Sequence, residues 1–595
     1  MPMRQLLRFT LLSLLVTALQ SASLAATRPV SVGELNYRDA EDTDLEFLEL
    51  VNPGTTSVAL TGAQFTSGIV YTFTTATTLA PGERIVLVRD PAKFTQRYGS
   101  AGIRLAPGAY TGRLSDEGET VTLASGAGVE MLSFTYSPSG RWPSRPNGLG
   151  STLECIDPNG DLDDPDNWRA SSEWQGSPGR PGAGPQRVVV INEILAHTDP
   201  PFEDAIELLN LTDKPVDISG WYLSNTRGNP RKFRIPAGTV LPAKGYRVFY
   251  EWAGTGNRTG FNPSGTGDSP DFTFSSANGD EGVLMSADGS GNLRFWMDTV
   301  SFEASANGIP FGRHPNGTGS FTTLQQQSLG TEVSMGFPVE YLGLFRTGAG
   351  APNAGPLLGP VVFHRIQYHP PLGADEFVEL RNITSLTLPL FDPLYPTNTW
   401  RLRDGINFNL PTGLLLEPNA RLIIAPIDPG AFRTKYSIPA STPIIGPYTN
   451  ALNNAGERLA LYRPDPPQLP PHPDAGFVPY ILVEEVDYSP NAPWPTGPDG
   501  TGPALRRRIP VGFANDPASW EADVSAPPTA PAIQIVNTPT LPRIRFTTMP
   551  GQTYRLERQA ALGASWTDAG PIPNTGPIAD VEIGAVPGFF RVRIP

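Results

Sequence analysis

A seven-residue string recurs three times, and its spacing sets the scale on which the chain must fold. Glu46–Asn52 reads EFLELVN, Asp204–Asn210 reads DAIELLN and Glu376–Asn382 reads EFVELRN. The closing residues Asn52, Asn210 and Asn382 stand 158 and 172 positions apart. The same landmarks surround each string in the same order. A short apolar strand lies about 15 residues before the glutamate (VSVGELNY, VVVINEIL, VVFHRIQY). After the string come a turn (NPGTTS, NLTDKP, NITSLT), a second strand and a phenylalanine-led strand–turn–strand unit. The second strand is LTGAQFTSG in the first copy and ISGWYLSN in the second, with Trp400 in NTWRLRD as the best match in the third. A glycine turn and further strands close each block. Self-similarity at a fixed long period reads as one structural unit used repeatedly.

The units read as β. The 61 Gly and 65 Pro are spread among Val/Ile/Leu/Phe runs, which predicts many short strands joined by turns rather than disorder. Seven or more strands per block, bounded by turn signals, fit two packed antiparallel sheets. Blocks of about 150 residues can each bury a core. Phe94–Gly99 (FTQRYG) and Phe432–Ser437 (FRTKYS) place Phe and Tyr four apart, the spacing of a helical turn or two.

The order VVVINEI, AIELLNLTDKPVDISGWYLSN, FRIPAGTVLPAKGYRVFY and ANGDEGVLM resembles the lamin tail domain. That family is an immunoglobulin-like β-sandwich found in nuclear lamins and in many exported bacterial proteins. The resemblance covers residues 28–183, 186–335 and 359–528. The third copy diverges: Arg365 stands where the others carry Glu34 and Glu193, and a Pro-rich insert spans 464–473. Pro/Gly linkers at Gly176–Gln186, Thr347–Pro360 and Ser525–Ala532 mark the boundaries. Residues 531–595 form a small C-terminal β-module that resembles a fibronectin type III-like unit. The expected fold class is therefore all-β, with three tandem immunoglobulin-like sandwiches plus this module. The resemblance implies binding or scaffold modules without catalytic residues of their own.

The first 25 residues read as a signal peptide. Arg4 and Arg8 precede an 11-residue apolar run, Phe9–Leu19, and Ser23-Leu24-Ala25 supplies small residues for cleavage near Ala25. No later run nears 18 apolar residues, so no membrane span is expected in the mature chain. Removing the two arginines takes the net charge from -14 to -16. An acidic chain without a basic stripe argues against nucleic acid. A single cysteine, Cys155, cannot form an internal disulfide; it reads as a small buried apolar residue.

The repeated glutamates Glu49, Glu207 and Glu379 are the sharpest candidates for chemistry. Strand alternation puts Phe47, Glu49 and Val51 on one face and Leu48 and Leu50 on the other. A carboxylate among apolar neighbours needs an arginine or backbone N–H partner, and Glu34 and Glu193 on the preceding strand bring in a second carboxyl group. Such pairs can do acid–base work or hold a hard cation. Recurrence in every block favours a structural polar pair, because an active site usually occurs once. The acidic run DPNGDLDDPDNW offers Asp157, Asp161, Asp163, Asp164 and Asp166 to Ca²⁺, but Leu162 and Trp168 occupy the EF-hand positions that require Gly and Glu. Histidines 197, 314, 364, 369 and 472 lack zinc spacing, and neither a P-loop nor a G-x-S-x-G elbow is present. Tryptophans 142, 168, 494 and 520 recur at matching positions and read as core plugs; their alternative role is stacking on sugars. N-x-T sequons occur at Asn210, Asn257, Asn316 and Asn382.

The resulting expectation is an exported, non-enzymatic scaffold or adhesion protein without a cofactor. Its partners would be other extracellular proteins or surface glycans. The alternatives are a glycan-binding or Ca²⁺-dependent adhesin, and an extracytoplasmic hydrolase with an unrecognised carboxylate site.

Overall fold

The computed structural model describes residues 28–198, 203–251, 260–264, 271–329, 350–470 and 474–523. In the C-terminal module it describes 534–537, 542–547, 554–559, 565, 567–572, 578–582 and 589–593. The expected signal segment, the linker 525–532, Asn257 and His472 lie outside the described residues. The described chain forms two compact units. One comprises residues up to Gln186 together with Met285–Met297, and the other comprises Arg187–Leu284 and Asp298 onward.

In the first unit, a five-stranded sheet runs in the order Trp168–Ala170, Leu153–Cys155, Ser31–Asn36, Phe47–Val51, Arg84–Val88. A three-stranded sheet of Gln64–Ser67, Glu119–Ala124 and Glu130–Tyr136 accompanies it. Leu48 and Leu50 from the larger sheet join Phe65, Val121, Leu123 and Phe134 from the smaller in one buried core. This is a β-sandwich, with alternate residues of each strand turned inward. The opposite face of the larger sheet is covered by helix Pro91–Tyr98. Proline begins the helix, and the Asp90 carboxylate accepts from the Ala92 and Lys93 N–H groups; such a cap contributes about 1 kcal/mol. The helix buries Phe94 against Phe47, Val86 and Val88. Within the same unit, Trp174 and Trp296 pack with ring centroids 5.8 Å apart. The Trp174 N–H donates to the Arg294 carbonyl at 2.8 Å, and the Trp296 N–H donates to Ser172 at 2.7 Å.

Two further copies of the pattern follow, one whose strands Asp280–Ala287 and Leu293–Phe302 include residues of Met285–Met297 and one that lies wholly in the second unit. In one, the larger sheet is Tyr246–Tyr250, Ala205–Asn210, Val189–Leu195, Phe311–His314, Ser320–Thr323. Its companion is Phe233–Arg234, Tyr222–Ser224, Asp280–Ala287, Leu293–Phe302. In the other, the larger sheet is Ile444–Ile445, Arg421–Ile424, Phe377–Asn382, Val361–Gln367, Ala504–Arg507, Trp520–Asp523. Its companion is Phe408–Asn409, Arg401–Asp404, Glu457–Pro464, Tyr480–Tyr488. Helix Pro429–Tyr436 repeats the device of the first unit: Asp428 caps it, and Phe432 and Tyr436 pack on Phe377 and Ile423. The C-terminal module is two three-stranded sheets. Its strands Pro542–Thr547 and Tyr554–Gln559 belong to different sheets and so do not form a hairpin with each other. The protein is thus all-β, built of antiparallel sandwiches.

Candidate functional site

The repeated glutamate occupies the same register in every copy. Glu49 stands opposite Glu34, Glu207 opposite Glu193, and Glu379 opposite Arg365. A β-bulge precedes the partner each time, between Val32 and Glu34, Ile191 and Glu193, and Phe363 and Arg365. The extra residue of a bulge re-aims the side chains beside it. Here that residue is Gly33, Asn192 or His364, and in the first two copies its identity matches how the glutamate is satisfied. All three glutamates lie on the sheet face away from the sandwich core, and none is more than 3 % exposed.

In the first copy, Gly33 leaves room for Arg84: a Cβ there would sit 2.3 Å from the Arg84 guanidinium and from Glu49 Oε1. Arg84 pairs with Glu49, and the Gly179 N–H donates to Glu49 Oε2 at 2.6 Å. Glu34 accepts from the Ser177 N–H at 2.8 Å and from the Thr152 hydroxyl. Glu154, opposite Glu34 on its other side, pairs with Arg169 at 2.8 Å. Burial raises all three carboxyl groups, with the charges of Glu49 and Glu154 adding to the effect on Glu34. Arg84 and the Gly179 N–H pull Glu49 the other way, and Arg169 does the same for Glu154. Three carboxyl groups thus share two guanidiniums, and Glu34 is the one pushed well above the usual range, by burial first and then by the charges of Glu49 and Glu154. Ser177 and Gly179 belong to the Pro/Gly stretch after the last strand, which folds back as the lid of the cluster.

In the second copy no cation pairs with the glutamates among the described residues. Asn192 donates to Glu207 Oε1 at 2.7 Å, and the Ala351 N–H donates to Oε2 at 3.0 Å. Glu193 accepts from the Ser328 N–H at 3.1 Å and from its hydroxyl. Asn353 ties this lid down by donating to the Asn192 and Arg313 carbonyls. Burial pushes Glu193 up to about 7 and Glu207 up to about 8, Glu207 being raised further by Glu193.

In the third copy the ladder is rewritten with opposite signs. Where the first copy reads Glu34, Glu154, Arg169 across three strands, the third reads Arg365, Arg506, Glu521. Arg365 pairs with the buried Asp523 at 2.7 Å, and Arg506 pairs with Glu521. Glu379 keeps its position, raised chiefly by burial against the pull of Arg365 and Arg421. His364 Nε2 lies 3.6 Å from Glu379, but burial and the surrounding arginines lower that imidazole to about 3. It is neutral, and the contact is not an ion pair.

The asparagine that ends each string does identical work in all three copies. Asn52 donates to the Thr56 and Leu79 carbonyls and accepts from the Gly54 N–H. Asn210 donates to Lys214, Leu241 and Pro242 and accepts from Thr212. Asn382 donates to Leu386, Leu416 and Glu417 and accepts from Thr384. Each is 0 % exposed. One side-chain amide ties the turn after the string to the turn before the next large-sheet strand, satisfying carbonyls that would otherwise be buried without donors.

The lamin tail domain family model matches residues 23–138 and 183–303. The chain carries tandem lamin tail domains. Among curated proteins, none matches the chain. Residues 359–528 lie outside the two matched stretches and carry the same bulge, register and asparagine as the two matched domains. Lamin tail domains are immunoglobulin-like binding and scaffold modules.

Other sequence candidates disperse. In the first lamin tail domain, the acidic run spends its carboxylates locally. Asp157 accepts from Asn159, Asp161 from Asp163 and Asp164 from Asp166, while Asp163 accepts from Thr135 and Asp166 pairs with Arg141. Among the described residues, no three His, Cys, Asp or Glu side chains converge on a common metal position. Trp168 and Trp520 are buried and donate to the Leu162 and Ala514 carbonyls; Trp142 and Trp494 pack beside them. The sequons at Asn210 and Asn382 fall on the buried turn asparagines. Sequence reasoning missed one kind of buried pair. Arg313 with Asp298, and Arg507 with Glu484, hold the backbone N–H that precedes the bulge, at Ile191 and Phe363. The corresponding position in the first lamin tail domain is Cys155, whose thiol burial pushes up to about 12. The signal was an arginine at the matching strand position, followed shortly by proline in both copies.

Proposed function

We propose that the chain is an exported, non-enzymatic scaffold or adhesion protein, in which tandem lamin tail domains present loop surfaces to other extracellular proteins or to surface glycans. One observation carries this reading: the glutamate that recurs like a catalytic residue is buried under the chain's own lid in the first two domains. Its oxygens are occupied by Arg84 and Gly179, or by Asn192 and Ala351. A general acid or base must reach substrate, and these carboxyl groups are taken up by side chains and backbone of their own chain. Export rests on the sequence of residues 1–25; N-terminal sequencing of the extracellular fraction tests it, with a start near Ala25 expected. Among the described residues, no helix is long and apolar enough to cross a membrane.

Glu49→Gln, Glu207→Gln and Glu379→Gln variants, assayed on a glycoside, ester and peptide panel, separate this reading from the hydrolase alternative. No wild-type turnover is expected, and turnover abolished by one of these changes in a folded variant overturns the reading. Titration with Ca²⁺ to millimolar concentration addresses the Ca²⁺-dependent adhesin; no binding heat and no change in melting temperature are expected.

A further inference from the structure

The two lids share a detail that the third domain lacks. In the first domain, Gly176 lies so close to Glu34 that a Cβ would meet Oε1 at 2.2 Å. Gly179, at φ +88°, seats its backbone between Glu49 and Ile103, with Ile103 Cγ1 at 3.0 Å from a Cβ position. In the second domain, Gly350, at φ +60°, lies against Glu207, and a Cβ there would meet Oε2 at 2.1 Å. Each glutamate is therefore covered by glycine backbone, in conformations and at approaches that side chains disfavour.

In the third domain, no described residue covers the equivalent seat. The Val86–Leu105 parallel bridge of the first domain corresponds to Ile423–Ile444, which places Thr442 where Ile103 stands. Between Thr442 and Glu379 is a cleft of about 540 Å³, also lined by Arg365, Arg421, Ser437 and Ser441. Glu379 is 3 % exposed, and its Oε1 has no hydrogen-bond partner among the described residues. Arg421 Nε stands 3.8 Å from that oxygen, beyond hydrogen-bond reach, and a buried acceptor without a donor is destabilising. The chain has no glycine between Asp523 and Gly551, so the stretch that follows this domain lacks the residue that both other lids place on the glutamate.

We propose that this cleft is a docking site for an extended, glycine-bearing peptide of another polypeptide, whose backbone N–H donates to Glu379 Oε1 as Gly179 donates to Glu49. This goes beyond the scaffold reading, which stands whether or not the seat binds. The probe is a labelled synthetic peptide with the sequence of Trp174–Gly184, WQGSPGRPGAG, titrated by fluorescence anisotropy into the full chain. Saturable binding is expected. Replacing the probe's glycine that corresponds to Gly179 with valine should weaken binding at least tenfold, and Ser441→Trp, an exposed change that fills the mouth of the cleft, should abolish it. No binding, equal binding of the valine probe, or binding that survives Ser441→Trp in a folded variant would each overturn the proposal.

Discussion

Glu193 and Glu207 face one another across an antiparallel ladder, and among the described residues neither has a salt-bridge partner. Burial raises them from an ordinary value of 4.5 to about 7 and about 8. The folded state therefore holds protons that the unfolded chain has released. Stability rises with pH only where the unfolded state binds more protons; here the native state binds more, so the sign is reversed. The contribution is complete below about pH 4.5 and is lost as pH rises through 7 and 8. Calorimetry at pH 5, 6.5 and 8 should show the transition of the second lamin tail domain weakening by a few kcal/mol, since each tenfold gain in proton affinity on folding is worth about 1.4 kcal/mol. Glu207→Gln, which mimics the protonated form, should flatten the slope. Some slope should remain, because burial also lifts Asp204 to about 7.

The glycine against Glu207 is required by space and by conformation together. Gly350→Ala introduces a methyl group 2.1 Å from Glu207 Oε2 and 2.7 Å from Tyr246 Cβ, at φ +60°. A loss of about 2–4 kcal/mol is expected from overpacking plus the left-handed backbone. Gly373→Ala, at φ +87° with nothing within 4 Å of its Cβ position, should lose only the backbone part, about 1–2 kcal/mol. Melting of the two variants side by side measures the difference.

The turn asparagines test how much one amide holds. Asn382→Asp turns a donor to three carbonyls into an acceptor beside them. Unmade hydrogen bonds to buried groups predict a loss of about 2–4 kcal/mol near neutral pH. Protonation returns one donor, so the deficit should narrow on acidification below about pH 5, read by denaturant unfolding at both pH values.

Arg169 and Glu154 form a pair with one member buried and the other about a third exposed. Arg169→Ala leaves the carboxylate alone and should cost about 1–3 kcal/mol. Adding Glu154→Gln should recover much of that loss, and a double-mutant cycle gives the coupling directly. Additive losses would show that the pair contributes nothing.

The strand-and-turn plan was legible because each strand carries its own period-two pattern and each boundary its own Gly or Pro. The placement of Glu49 against Leu48 and Leu50 follows from that alternation alone. The lids were not legible. Gly176–Gln186 reads as a linker by composition, and only its hydrogen bonds to Glu34 and Glu49 show it to be part of the domain. The bulge was equally hidden, since it depends on the pairing of distant strands. The outer pair of Arg313 with Asp298 joins residues on separate strands whose register no local pattern encodes.

The sign reversal between the first and third domains bears on how a tandem chain avoids tangling as it folds. Similar neighbours on one chain invite strand exchange before each has closed. Were the last strands traded, Arg169 would lie opposite Arg506 and Glu521 opposite Glu154, like charge against like on a half-buried ladder. Such juxtapositions are destabilising, whereas the correct partners attract. The inverted ladder thus labels the closing strands of the first and third domains with the address of their own sheets.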